Sequence, residues 1–206
     1  MKLLSIGSTG LVGSYVLQLA LADHRVSAIV APTRRELPTH AKLLAPLVDF
    51  DALPPHAEWW QADAVICTLG APASSKSLIR SQGTENILRA MPANGRLICL
   101  SSLGFGDSRP LMPWVMKYII APFILKNALA DHEKQEEAIK KSEANYTIVR
   151  PGSMTDKPAA GHYQYGFAFD DNAVTIKPIS RADVADFLLN QVTDTAFLRQ
   201  TVGISG

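Results

Sequence analysis

Three glycines at fixed spacing stand close to the start of the chain, in Gly7-Ser8-Thr9-Gly10-Leu11-Val12-Gly13. The heptapeptide follows an apolar run, KLLSIG, and opens a segment in which Val12, Tyr15, Val16 and Leu19 recur at helical spacing. In such a strand–loop–helix unit a first glycine permits the tight turn and a second lets backbone approach a phosphate. A third lets helix and strand pack closely. Helix N-terminal amides add donors and partial positive charge, so Gly7, Ser8, Thr9, Gly10, Leu11, Val12 and Gly13 are expected to hold the pyrophosphate of a dinucleotide.

The second apolar run ends in Val30-Ala31-Pro32-Thr33-Arg34-Arg35. A site for NAD(H) usually has an acid here to bond the ribose 2′-hydroxyl. This chain instead brings Arg34 and Arg35, whose forks suit a phosphate dianion, so NADP(H) is expected over NAD(H). A pairing of Glu36 with either arginine would leave them as ordinary surface residues. Reaction chemistry has three candidates: Ser101 and Ser102 at the end of another apolar run, and His132 in a polar helical segment. In that segment Leu125, Leu129, His132, Glu136 and Ile139 trace one inward stripe, which turns His132 toward the core. A histidine can give a proton near neutral pH. No His/Cys/Asp/Glu cluster has metal-ligand spacing, so no metal is expected.

These groups need a scaffold, and the chain alternates short apolar runs with helical segments. Strands are expected at 2–7, 25–31, 43–50, 63–70, 96–104 and 146–152, with Pro46 placing the third at a sheet edge. Helices are expected near 77–90, over 113–127 with a kink at Pro122, over 130–141 and over 181–192, before a closing strand, TVGIS. Strands apolar on both faces and separated by helices make a parallel sheet covered on both sides. The fold class is therefore α/β: a doubly wound parallel sheet, one domain over 1–206, with a small C-terminal substrate-side extension after Gly152. Met112, Trp114, Met116 and Phe123 are expected to form a wall for a planar substrate, a buried core or a homodimer contact.

Composition excludes several classes. With 20 basic and 19 acidic side chains the net charge is +1, unlike the basic excess of a nucleic-acid binder. The stretch 112–125 is broken by Lys117 and Pro122 and is shorter than the ~18 apolar residues of a membrane span. Cys67 and Cys99 lie inside apolar runs and read as buried thiols. Strand-like residues begin at Lys2 with no secretory pattern before them, so a reducing cytoplasm is expected.

The glycine spacing is G-x-x-G-x-x-G, and further short motifs follow in order: Val48-Asp49, Thr68-Leu69-Gly70, Leu100-Ser101-Ser102 and Tyr146-Thr147-Ile148-Val149-Arg150-Pro151-Gly152. Along most of its length the chain thereby resembles the atypical short-chain dehydrogenase/reductases, in the NAD(P)H-binding group of biliverdin-IXβ/flavin reductase-like and NmrA-like proteins. The resemblance implies a Rossmann fold with Asp49 and Phe50 flanking the adenine and Leu69-Gly70 beneath the adenosine ribose. It also implies Ser101 and Pro151 beside the cofactor, and His132 at the position of a reductase active-site histidine. One departure matters. No tyrosine has a lysine four residues later, and Pro122 stands where that lysine would follow Tyr118, so the usual proton relay of alcohol dehydrogenation is missing. The expected function is an NADPH-dependent reductase acting on a small planar conjugated molecule: a flavin, quinone or tetrapyrrole. The alternative is a non-catalytic NADP-sensing regulator of the NmrA-like kind. A sugar-nucleotide epimerase would need the missing Tyr-Lys pair.

Overall fold

The structure, a computed structural model, describes residues 1–49, 54, 57–72, 74–112, 114–166 and 177–206. Its frame is one eight-stranded sheet. The strands are β1 (Lys2–Ile6), β2 (Ala28–Val30), β3 (Leu43–Leu44), β4 (Ala64–Cys67), β5 (Arg96–Leu100), β6 (Asn145–Pro151), β8 (Gln164–Gly166) and β10 (Gln200–Ser205), with β7 (Met154–Thr155) and β9 (Ile179–Ser180) forming a separate pair. The order is β3-β2-β1-β4-β5-β6-β10-β8, parallel throughout except for antiparallel β8 at the edge. The order reverses between β1 and β4, and the carboxyl ends of these two strands open the crevice where ligands of such sheets bind.

The central strands are apolar-rich because both their faces are covered. β4 is buried at all four positions. Helices α1 (Gly13–Ala22) and α4 (Arg181–Asn190) pack together on one face, and α2 (Ile79–Ala90) and α3 (Lys126–Lys141) on the other. One core cluster joins Val16, Ala20, Ile66, Ile98, Val184, Leu188 and Val202; the second joins Leu4, Trp60, Val65, Ile87, Leu97, Ile139 and Ile148. Each such aliphatic side chain contributes about 1.5–3 kcal/mol on burial. Trp60 lies fully within the second cluster, stacked at 4.7 Å on Trp59. Among the described residues no helix is long and apolar enough to cross a membrane.

Three expectations are corrected. The third strand shrinks from 43–50 to Leu43–Leu44 plus a single bridge between Thr33 and Leu47, because Pro46 has no amide for the ladder. The apolar segment after Trp114 is not a kinked α-helix but a π-helix, Met116–Leu125. Pro122 lacks the N–H an α-helical turn would use there, and the wider winding runs through it. This segment is also no core: Trp114 is 67% exposed and Phe123 83%. Lastly, α3 is not a polar helix with one narrow stripe, since Asp131 and Gln135 are as buried as His132 and Glu136.

Candidate functional site

The loop after β1 has almost no spare volume. Gly7 has φ +91°, and a Cβ there would meet the Thr68 backbone and hydroxyl at 2.8 Å. At Gly13 a Cβ would lie 2.1 Å from the Gly7 carbonyl oxygen. The first turn of α1 therefore presses directly on the end of β1. Thr68 ties the loop to the sheet by donating from Oγ1 to the Ile6 carbonyl at 3.0 Å, and Gly10 N–H donates to the Gly7 carbonyl at 2.8 Å. Ser8 turns inward, its hydroxyl within 2.9 Å of the Ser5 carbonyl. The Ser14 amide donates to the Gly10 carbonyl at 3.0 Å and the Val16 amide to the Val12 carbonyl at 3.1 Å, so the anion cradle falls to the amides between Ser8 and Gly13 at the start of α1.

Two cavities meet over this cradle. The first, ≈ 200 Å³, is lined by Gly7, Ser8, Thr9, Gly10, Thr33, Arg34, Arg35, Leu69 and Gly70. The second, ≈ 530 Å³, continues from Gly10, Leu69 and Gly70 to Leu11, Val12, Arg80, Ser101, Ser102, His132, Met154 and Arg181. They share Gly10, Thr68, Leu69 and Gly70, so one trench runs from the arginines past the glycine loop to the serines and His132. Arg34 and Arg35 are exposed, and neither pairs with an acid among the described residues.

Beneath the second cavity lies a buried polar network. Ser101 Oγ donates to Glu136 Oε1 at 2.7 Å. Arg150 grips the same carboxylate with Nε at 2.7 Å and Nη2 at 2.5 Å, and reaches Asp107 at 2.6 Å. Burial pushes the Glu136 carboxyl up, but Arg150, Ser101 and Lys140 together hold it below its ordinary value, as a carboxylate. The Arg150 guanidinium also lies 4.8 Å from the Phe105 ring centre, and that ring stacks on the His132 imidazole. Deeper in, Asp131 accepts from the Ser81 hydroxyl at 2.6 Å and from the Arg80 amide at 3.2 Å.

His132 sits at the floor with Nδ1 3.5 Å from Ser101 Oγ and 3.3 Å from Gln135 Oε1. Burial, and then the charge of Arg80, lowers its pKa to about 4. At neutral pH the ring is therefore uncharged, which runs against the expectation of an imidazolium that gives up a proton. A group this far below neutrality orients or accepts far better than it protonates.

The trench gathers Gly7, Ser8, Thr9, Gly10, Leu11, Val12, Arg34, Arg35, Leu69, Gly70, Ser101, Ser102 and His132. Gly13 is buried behind the loop, Pro151 is buried at the end of β6, and exposed Asp49 lines neither cavity. Phe50 lies outside the described residues. Among the described residues Met112, Trp114 and Phe123 of the expected wall do not line the trench, which takes Ala71, Pro72, Met154 and Arg181 there. Arg80, Met154, Arg181 and the inward Asp131 and Gln135 of α3 escaped sequence reasoning. One signal was available: Gly83 inside α2 costs the helix about 1 kcal/mol relative to alanine, and its bare Cα leaves room for Leu69 at the cleft edge.

Solved structures with the same layout span this chain end to end. A candidate NADH-flavin reductase from Streptococcus pneumoniae TIGR4 superposes with a TM-score of 0.78 at 20% identity, covering 100% of this chain and 99% of its own. The anaerobilin reductase ChuY from Escherichia coli O157:H7 gives 0.69 at 23%, covering 100% and 97%. A short-chain dehydrogenase/reductase from Veillonella parvula DSM 2008, solved with NADP, gives 0.74 at 17%, covering 100% and 94%. At these identities the likeness establishes the fold. A family model described as NAD(P)H-binding matches residues 7–195, a span that includes both halves of the trench, and the chain belongs to that NAD(P)H-binding family.

Proposed function

We propose that this protein is an NADPH-dependent reductase that hands hydride to a flat conjugated small molecule such as a flavin, a quinone or a tetrapyrrole. The observation that carries the reading is the continuity of the trench: a phosphate cradle flanked by unpaired arginines at one end opens directly onto Ser101, Ser102 and His132 at the other. The cradle fits a dinucleotide, because the glycines that line it leave no room for a side chain but admit an anion to the amides. Residues 7–13 would hold the pyrophosphate, Arg34 and Arg35 the 2′-phosphate, and Leu69-Gly70 the adenosine ribose. Bound NADPH supplies the hydride. Ser101 orients the nicotinamide or its acceptor, the apolar Leu11, Leu100 and Met154 exclude water, and the balancing proton comes from solvent. Two of the reductases that share the fold act on a flavin or a bilin by name, which agrees with an acceptor of this shape.

One observation favours the alternative of an NADP-binding sensor: the cleft histidine is uncharged at neutral pH, so the site has no ready acid. NADPH fluorescence titration, repeated with NADH and followed by a search for NADPH oxidation with flavins and quinones, separates the two. The reductase reading requires oxidation in the presence of at least one such acceptor; tight binding without turnover would give the sensor. Replacing both Arg34 and Arg35 by alanine is expected to weaken NADPH about 10- to 100-fold and to leave NADH nearly unchanged, since a charged hydrogen bond contributes about 1.5–3 kcal/mol. An equal loss for both nucleotides would remove the 2′-phosphate assignment.

A further inference from the structure

Each side-chain hydroxyl proton lining the second cavity is already committed to the protein. Thr68 Oγ1 donates to the Ile6 carbonyl at 3.0 Å, Ser102 Oγ to the Leu103 carbonyl at 3.0 Å, and Ser101 Oγ to Glu136 Oε1 at 2.7 Å. The last direction is forced. Glu136 is a carboxylate gripped by the Arg150 guanidinium and by Lys140 Nζ at 3.0 Å, so it can only accept. Ser101 has one proton and gives it there. Its oxygen can then only accept from His132 Nδ1, 3.5 Å away.

The second neighbour of Nδ1 agrees. Gln135 directs its amide nitrogen to Thr84 Oγ1 at 3.0 Å and so turns its carbonyl oxygen to the imidazole at 3.3 Å. Both neighbours accept, so Nδ1 carries the ring proton and Nε2 is left as a bare lone pair. Nε2 has no partner among the described residues, and His132 lines the cleft. The walls have the opposite character: Arg80, which pairs with Asp131 and donates to the Ala71 carbonyl, and Arg181, which pairs with Asp156, line the same cavity and keep further N–H donors.

We propose that the buried Arg150–Glu136 pair, acting through Ser101 and His132, makes the cleft floor accept hydrogen bonds without donating them, so that the occupant is held by an N–H edge of the imide or lactam class. The polarity stands on the network alone; the identity of the occupant as the hydride acceptor rests on the reductase reading. An imide alternates carbonyl, N–H and carbonyl, and so meets the floor with its donor and the guanidinium walls with its oxygens. A quinone offers oxygens alone and would leave the floor unmet, stranding a polar group on each side. Glu136 and Arg150 are positioning residues in this scheme, since neither lines the cleft itself.

The test begins with protein labelled with 15N at histidine, in which two-bond 1H–15N correlations at neutral pH report the His132 tautomer. The expected result is a protonated Nδ1 and a bare Nε2. In Glu136→Gln the amide can donate to Ser101, release its proton toward Nδ1 and shift the ring toward the Nε2–H form. A wild-type ring already in the Nε2–H form overturns the proposed polarity. The ligand arm compares lumiflavin, which has an imide N–H, with 3-methyllumiflavin, which lacks it, by flavin fluorescence on NADP⁺-loaded protein. Lumiflavin is expected to bind at least about tenfold tighter, the equivalent of one unpaired acceptor. Equal binding, or none by either, overturns the ligand class. Failure of NADPH oxidation with all acceptors would instead sink the reductase reading and leave the tautomer result standing.

Discussion

Gly13→Ala should lose dinucleotide binding by about two orders of magnitude or more while the sheet still forms. The added methyl would sit 2.1 Å from the Gly7 carbonyl oxygen and 2.6 Å from Thr68 Oγ1. The nearest obstacle is backbone, not the tip of a flexible side chain, so α1 must move off the end of β1. That displacement carries away the loop amides that lead into α1, which are the cradle itself. Overpacking of this kind costs about 1–3 kcal/mol of stability, or roughly 2–12 °C in Tm for a chain of this size. NADPH fluorescence titration beside a thermal melt reads both effects. Gly83→Ala is the contrast: its Cβ would meet Leu69 Cδ1 at 2.4 Å, a side-chain tip that can rotate away, and helix propensity gains about 1 kcal/mol. Should Gly13→Ala bind NADPH like the parent, the close-packing account of the loop is wrong.

Arg150→Met should be the most destabilising single change in the polar network. Arg150 and Glu136 are 2% and 3% exposed at their side chains, and removing the guanidinium strands a carboxylate between β6 and α3. Breaking a buried pair from one side costs about 3–5 kcal/mol. The pH dependence gives the sign. In the parent the Glu136 carboxyl is held below its ordinary value, so its contribution is present above the usual carboxylate range near 4.3 and is lost as pH falls through the lower folded value. Without Arg150, burial dominates and the folded value rises above 4.3. Stability is then lost as pH rises, so the variant's deficit should shrink between pH 7 and pH 5. Urea melts at several pH values check this, and a deficit that stays constant over that interval would show that Glu136 is not the stranded charge. Arg150→Met with Glu136→Leu should recover much of the loss, as removal of both partners often does.

Much of this molecule was legible before any coordinates, and the limits of that legibility are physical. β4 and β5 announce themselves because a strand covered on both faces must be apolar at nearly every position, and β1 and β6 by the apolar pairs Leu3-Leu4 and Ile148-Val149. The glycine loop is legible because its geometry tolerates so few residues. Polar residues are harder. Asp131 and Gln135 look like solvated helix positions, and their burial makes sense only once Ser81, Arg80 and Thr84 of α2 come opposite them. Such partnerships join residues far apart in sequence, which local periodicity does not see. Arg150 was the visible anomaly, a charge inside an apolar strand, and it proved to anchor the network. Nothing in the spacing of Met116–Leu125 separates a π-helix from an α-helix, because the difference lies in how one proline is accommodated.

Cys67 and Cys99 stand opposite each other in register on neighbouring strands at the centre of the sheet, both free and both fully buried. An alkylating reagent reaches neither until those strands part, so the labelling rate is a clock for global opening rather than for surface fluctuation. Occupancy of the trench must slow that clock by the factor by which ligand favours the closed form. A nucleotide at a hundred times its Kd should slow labelling about a hundredfold. The two sulfurs thus give the chain an internal affinity meter that needs no substrate, no turnover and no added probe in the site.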